Sequence, residues 1–233
     1  SAGGMAVMEP TARAWLEITG TNILEGYGLT EASPVVTTNL ARNRGYTGSI
    51  GLPLPNTEIS LLDDAGVEVE RGEPGELCVR GPQVMLGYWQ RPDATAESFT
   101  ADGFLKTGDI AVVTVNGDFK IVDRKKDMIL VSGFNVFPSE IEQVLTAHPA
   151  IAEAACIGLP NERGGEVVAA YVVINAGSQL TKTDLLQYCR HELTAYKVPK
   201  IIKFCTDLPK SNVGKVLRRE LRDSELAAAK NNG

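Results

Sequence analysis

Between positions 48 and 117 turn-forming residues recur every few positions: Gly48, Gly51, Pro53, Gly66, Gly72, Pro74, Gly81, Pro82, Gly103 and the pair Asn116-Gly117. Such spacing leaves room for short strands joined by tight turns, and a run of closely spaced strands predicts a small barrel or sandwich. Asn116-Gly117 lies between apolar stretches at 111–115 and 119–122. Both residues tolerate positive φ, so a hairpin is expected there.

The segments on either side have a different grammar. Ahead of the turn-rich stretch, Ala12, Trp15, Leu16 and Thr19 recur at helical spacing, Pro10 suits a first turn, and Gly20 suits a helix end. Ile23 and Leu24 then predict a short buried strand running into a turn at Gly26 and Gly28, which is α/β organisation. After it, Asp123, Arg124, Lys125, Lys126 and Asp127 form a run that no core could accept, expected as a hinge or exposed turn. Beyond that run strands and helices alternate: strands near 128–131, 152–158, 167–174 and 200–205, and helices at 139–147, 182–193 and from about Leu217. Ser139, with Glu142 three positions on, predicts a capping box. The expected organisation is therefore α/β and α+β: residues 1–125 as the end of a larger α/β domain with a small β-barrel subdomain, and residues 126–233 as a compact C-terminal α+β domain. The opening residues Ser1, Ala2, Gly3 and Gly4, with no initiating Met, read as the interior of a longer protein, and the tail from Lys230 reads as disordered.

Composition excludes several classes of function. Lys and Arg number 23 against 29 Asp and Glu, a net charge of -6, which argues against a nucleic-acid footprint. Cys78, Cys156, Cys189 and Cys205 are scattered without a paired spacing, so neither a zinc site nor a disulfide framework is expected. No apolar run reaches the roughly 20 residues of a membrane span, which predicts a soluble, cytoplasmic protein.

Two familiar phosphate motifs fail on inspection. Gly26 and Gly28 begin like a dinucleotide fingerprint, but Glu31 stands where its third glycine belongs; Gly214-Lys215 resembles the end of a P-loop, but Val216 follows. Four segments are richer. Tyr27, Gly28, Thr30 and Glu31 place an aromatic face, a hydroxyl and a carboxylate on one turn, able to stack a base, bond a phosphate and bind Mg²⁺, although such a turn is also ordinary surface. Asp109, closing Lys106-Thr107-Gly108-Asp109, suits a pair of ribose hydroxyls or merely caps a strand. The charged run is followed by Ser132, Gly133, Phe134 and Asn135, and on charge alone it is solvated surface. Lys215 is presented after Gly214 with no acidic residue beside it in the chain, and can reach a phosphate or carboxylate held elsewhere. Arg218, Arg219 and Arg222 could assist it or could pair with Glu220 and Glu225 along a helix.

In this order and spacing the segments resemble one superfamily, the adenylate-forming enzymes that include acyl-CoA ligases, luciferases and peptide-synthetase adenylation domains. The motifs are YGLTE, GELCVRGPQVMLGYW, KTGD, DRKKD with SGFNV and PSEIE, and PKSNVGK, and together they cover nearly the whole chain. The segment from Asp102 to Lys126 is similar to the signature of fatty acyl-CoA ligases, and VMLGYWQRPDAT and VSGFNVFPSEIE point to the bacterial long-chain type.

The resemblance implies a role for each residue. Gly3 and Gly4 lie against the adenine, Met5 near the acyl pocket, and Tyr27 and Gly28 on the nucleotide's face. Thr30 touches the α-phosphate, Glu31 holds Mg²⁺, Asp109 and Arg124 contact the ribose, and Lys126 is the hinge of a mobile C-terminal lid. Gly133 lines the channel for coenzyme A, and Lys215 is the lysine of the adenylation step. ATP, AMP, Mg²⁺, coenzyme A and a fatty acid are the implied cofactors and substrates. The partner is an upstream domain of the same parent chain, which in the family carries the Ser/Thr/Gly-rich phosphate loop absent from these 233 residues. The chain alone is thus expected to lack ligase activity, to self-associate through apolar surface near Ile23, and to allow peripheral contact with the inner face of a membrane. The alternatives are another acyl or aryl adenylate-forming ligase, and a non-catalytic binding module that retains the lid fold.

Overall fold

The computed structural model describes residues 1–40, 45–161, 164–212 and 214–231, with side chains through residue 228. They form two compact units, Ser1–Lys125 and Lys126–Gly233, and the fold is mixed α/β throughout.

The first unit opens with α1 (Glu9–Thr19), ended by Gly20 at φ 68, whose N–H reaches the Leu16 carbonyl at 2.8 Å. Glycine takes this left-handed conformation without the steric cost other residues meet. The strand expected from Ile23 and Leu24 lies slightly later, as β1 (Gly26–Gly28), which pairs antiparallel with β2 (Val35–Thr38); β2 in turn pairs with β3 (Leu52–Pro53). A larger antiparallel sheet follows, from β4 (Glu58–Leu62), β5 (Gly75–Arg80), β6 (Leu105–Val113) and β7 (Phe119–Arg124), in that order.

The expected barrel is corrected by this topology: among the described residues no sheet closes on itself, and β4 and β7 are edges. Four strands of five to nine residues are too few to wrap a closed cylinder. A short helix, α2 (Pro92–Ser98), interrupts the strands where none was expected. The hairpin at Asn116-Gly117 is wider than a two-residue turn. Val113 pairs with Phe119, and of the two central residues only Gly117, at φ 89, is left-handed. Leu77 and Val79 of β5 face Ala32, Val36, Leu61 and Ala111 in one core, which ties the small sheet to the large one.

The second unit begins in the 3-10 turn Lys125–Asp127 and continues as a hairpin of β8 (Ile129–Val131) and β9 (Phe134–Val136). Next come α3 (Pro138–Ala147), β10 (Ile151–Pro160), β11 (Glu166–Ile174), α4 (Lys182–Glu192), β12 (Ile201–Phe204) and α5 (Arg218–Asn231). The sheet order is β10-β11-β12, with β12 parallel to β11 across the α4 connection. Strand alternation divides β11 between two cores. Val168, Ala170 and Val172 pack with Ile141 and Leu145 of α3 and Leu185 and Cys189 of α4, whereas Ala169 and Tyr171 pack with Leu208 and with Leu221 of α5. A single sheet is thus covered on both faces. α5 extends through Asn231, so Lys230 is helical rather than disordered, and residues 232–233 lie outside the described residues.

Thr181 caps α4 by accepting the Asp184 N–H, but the box expected at α3 does not form. Ser139 and Glu142 are both bonded to Arg218 instead. The helix also starts earlier than the box requires, with Phe137 as its N-cap and Ser139 already inside it, and Glu142 turns to Arg218 and to the Cys156 N–H.

Candidate functional site

The expected nucleotide contacts of the first unit form two small constellations. In one, Tyr27 on β1 donates its hydroxyl to Asp109 Oδ2 at 2.6 Å, and Arg124 Nε stands 3.6 Å from Asp109 Oδ1. Registry explains the meeting of Asp109 and Arg124, which are directly paired between β6 and β7. Burial first, then the charge of Asp109 and the hydrogen bond to it, push the Tyr27 hydroxyl far above its ordinary range. Asp109 is further positioned because its N–H bonds Thr107 Oγ1, which itself donates to the Leu77 carbonyl.

The second constellation grows from the same turn. Leu29 N–H bonds the Pro34 carbonyl at 2.8 Å, and a Cβ placed on Gly28 would lie 2.0 Å from that oxygen, so the turn needs glycine there. The chain then enters the 3-10 turn Thr30–Ala32, with Thr30 exposed. Glu31 is held twice: its carbonyl accepts the Met85 N–H at 2.7 Å and its carboxylate accepts the Tyr88 hydroxyl at 2.8 Å. That bond to Glu31 is the largest reason the Tyr88 hydroxyl is raised above its usual range. No cluster of three or more metal-ligating side chains exists among the described residues. Glu31 alone fits a Mg²⁺ ion whose remaining ligands are phosphate oxygens and water, the ordinary arrangement for that ion. Gly3 and Gly4 are exposed, follow the Ala2 to Glu25 bridge, and include a left-handed Gly4 at φ 85; Met5 is exposed beside them.

In the second unit Lys126 is exposed within its 3-10 turn, and Gly133 with Ser132 forms the two-residue turn between β8 and β9, at φ 86 and 51. Lys215 is exposed on a loop closed by a bridge between Lys210 and Val216 and by Ser211 N–H to the Lys215 carbonyl at 2.8 Å. Val213 of this motif lies outside the described residues. The arginines after it have structural partners other than those expected: Arg218 pairs with Glu142 and Asp127, Arg219 with Asp223, and Arg222 with Glu166, while Glu225 takes Lys203. The charged run is not uniformly solvated either, since Asp123 is 5% exposed and accepts the Arg124 N–H. Sequence reasoning gave Tyr88 no role of its own and gave Arg218 other partners than Glu142 and Asp127. Glu31 stands 57 positions from Tyr88 and Glu142 stands 76 from Arg218, beyond any local pattern.

The family description AMP-binding enzyme matches residues 1–89, and AMP-binding enzyme C-terminal domain matches residues 140–215. A long-chain-fatty-acid–CoA ligase of Yersinia pestis is 60% identical over 96% of this chain, and a feruloyl-CoA synthase of Amycolatopsis sp is 42% identical over 94%. The crystal structure of ATP-bound MatB from Rhodopseudomonas palustris superposes on 95% of the chain with a TM-score of 0.89 at 36% identity, the chain covering 44% of it. The chain spans 40% of the length of the Yersinia relative and 45% of the Amycolatopsis one. With both family descriptions matched in order and the same fold in a solved relative, this chain belongs to the AMP-binding, adenylate-forming enzyme family and corresponds to the C-terminal portion of its members.

Proposed function

We propose that this chain is the C-terminal part of an ATP-dependent long-chain fatty acid CoA ligase, with the first unit contributing nucleotide contacts and the second serving as a mobile lid. The observation that carries the reading is the Tyr27–Asp109–Arg124 constellation, which presents an aromatic face, a carboxylate and a cation together, as a nucleoside's base and ribose require. The 60% identity to a relative named for that activity supports the long-chain type.

In this reading the fatty acid's carboxylate oxygen forms a bond to the α-phosphorus of ATP as the bond to the departing pyrophosphate breaks. Thr30 bonds the α-phosphate and Glu31 would hold Mg²⁺, which when bound neutralises charge on the phosphate oxygens. Tyr88 keeps the Glu31 carboxylate oriented, and Asp109 accepts the ribose hydroxyls between Tyr27 and Arg124. Lys215, exposed at its loop, supplies positive charge where negative charge gathers, the dominant contribution in transfer reactions at phosphorus. The thiolate of coenzyme A then attacks the acyl carbonyl and AMP leaves. That step needs a channel beside Gly133 rather than an ammonium, so the lid turns at Lys126 between the two steps.

Lys215→Ala in the full-length ligase tests the reading. Acyl-AMP formation should fall by about 100-fold or more while CoA transfer from supplied acyl-AMP stays within about threefold. Equal loss in both half-reactions would refute the role. Acyl-chain profiling of the same enzyme decides between long-chain acids and the aryl acids suggested by the feruloyl-CoA synthase relative. The 233-residue chain by itself should make no acyl-CoA, because the phosphate loop lies outside it. Peripheral membrane contact fits the exposed Leu86 and Trp89; Ile23, Leu24 and Tyr27, where self-association is expected, are only partly exposed, and the exposed apolar side chains shortly before them in the chain include Trp15 and Ile18. Failure to sediment with anionic vesicles, or a concentration-independent monomer in ultracentrifugation, would remove these two expectations respectively.

A further inference from the structure

Lys126 stands between two neighbours, each tied by charge to the unit it belongs to. On the first side the Lys125 ammonium lies 2.8 Å from Asp64 and 3.0 Å from Glu76. The Glu76 side chain is only 10% exposed, and its other oxygen accepts the Gly108 N–H, so Lys125 is anchored to β5 and to the strand that carries Asp109. On the second side the Asp127 carboxylate receives Arg218 at 3.3 Å, and the same guanidinium holds Glu142 at 2.5 Å and Ser139 at 2.9 Å. Arg218 opens α5, and the preceding Leu217 N–H bonds the Pro209 carbonyl at 2.8 Å, closing the foot of the loop that bears Lys215.

We infer that Lys125 and Arg218 are positioning residues that confine the turning of the second unit to the backbone of Lys126. This rests on the lid reading given above. A rotation shared among several soft dihedrals delivers a distant side chain to a spread of end points, whereas a rotation confined to one residue delivers it to few. Placement matters at this scale, because a shift of about 1 Å in a reacting group can cost about 100-fold in rate. The described partners named for each pin, Asp64 and Glu76 for Lys125 and Asp127, Ser139 and Glu142 for Arg218, lie on that pin's own side of Lys126, so turning at that residue breaks none of these contacts. Arg218 adds a second link: through its contacts the Asp127 backbone and the Lys215 loop move as one piece with α3. Lysine in place of Arg218 would keep the charge but lose the fork that reaches three side chains at once.

The test uses Lys125→Met and Asp127→Asn, which each release one pin while leaving Arg218 bound to Glu142. Lys125→Arg serves as the variant that keeps both acidic partners. Amide hydrogen exchange of the 233-residue chain should rise about tenfold at residues 125–128 in the first two variants, with β6 and α3 unchanged as the control for folding. In the full-length ligase the same two should lower the rate constant of acyl-AMP formation by about 10- to 100-fold, with the KM for ATP within about twofold, and Lys125→Arg should restore both readouts. Unchanged exchange at 125–128 in both variants overturns the inference, as does raised exchange with an unchanged rate of adenylation. Lys215→Ala in the same assay separates the two ideas: if it leaves adenylation intact the lid reading fails, and the exchange data still decide whether the pins hold the turn.

Discussion

Replacing Tyr27 by Phe removes one oxygen and keeps the ring, so it isolates the 2.6 Å bond to Asp109. A hydrogen bond to a charged acceptor contributes about 1.5–3 kcal/mol. The Asp109 side chain is 19% exposed and keeps Arg124 at 3.6 Å, so water can replace the lost phenol. A loss near ~1 kcal/mol at neutral pH is the expected result. The pH dependence then gives the prediction a sign. The Tyr27 hydroxyl is raised above its ordinary value of 10.0, chiefly by burial and next by Asp109. Above that pH the unfolded chain releases the proton that the folded chain retains. The stability Tyr27 contributes is therefore complete below pH ~10 and declines by about 1.4 kcal/mol for each further pH unit.

The Phe variant has no such slope at this position, so the two proteins should cross. An initial gap of ~1 kcal/mol is consumed between pH ~10.5 and ~11, and beyond that the variant is the more stable. Urea denaturation followed by circular dichroism at pH 8, 10 and 11 measures the gap directly. The other raised tyrosines and thiols titrate in both proteins and cancel. A gap that is absent at pH 8, or that stays constant from pH 8 to 11, would refute the coupling of Tyr27 to Asp109.

Gly28→Ala should destabilise the first unit by at least ~2 kcal/mol, because its Cβ would stand 2.0 Å from the Pro34 backbone oxygen, which cannot yield without opening the turn at Thr30. A variant with an unchanged urea midpoint would contradict that geometry. Burial pushes Cys78 up to about 12 and Cys189 up to about 11, and Cys156 is fully buried. Iodoacetamide at pH 8 should therefore label Cys205 first, read by peptide mass spectrometry; labelling of Cys78 or Cys189 at the rate of the unfolded chain would count against the packing of both cores.

Elements whose signals are local were legible in the sequence. Gly20 ends α1 through its own left-handed backbone, and the strands and helices of the second unit fall within a few residues of their expected places. What the sequence hid were relations between distant positions. Nothing local to Ser139 and Glu142 shows that Arg218 will take both oxygens, so an apparent capping box became the anchor of another helix. β9 went unseen because Ser132-Gly133 was absorbed into a loop motif, although two consecutive left-handed residues make the tight hairpin turn found there. Of the candidate site, Tyr27, Thr30, Glu31 and Asp109 could be named from residue type and order. That Tyr27 and Asp109 bond each other, and that Tyr88 steers Glu31, required the folded sheets.

The charged run at 123–127 is where this limit bears on function. Read by composition its five residues are equivalent, yet each has a different environment. Asp123 is buried, Arg124 faces Asp109, Lys125 is bound by two carboxylates, Lys126 is exposed, and Asp127 is held by Arg218. Part of the difference comes from β7, which extends through Arg124 and imposes strand alternation on residues that look like a turn. The rest comes from partners supplied by β5, β6 and α5. Three of the five charges thus have ion partners within their own unit: Arg124 with Asp109, Lys125 with Asp64 and Glu76, and Asp127 with Arg218. In the proposed lid reading Lys126, exposed between these pairs, is where the backbone turns while they stay intact, so at this position loss of motion and loss of stability can be separated by experiment.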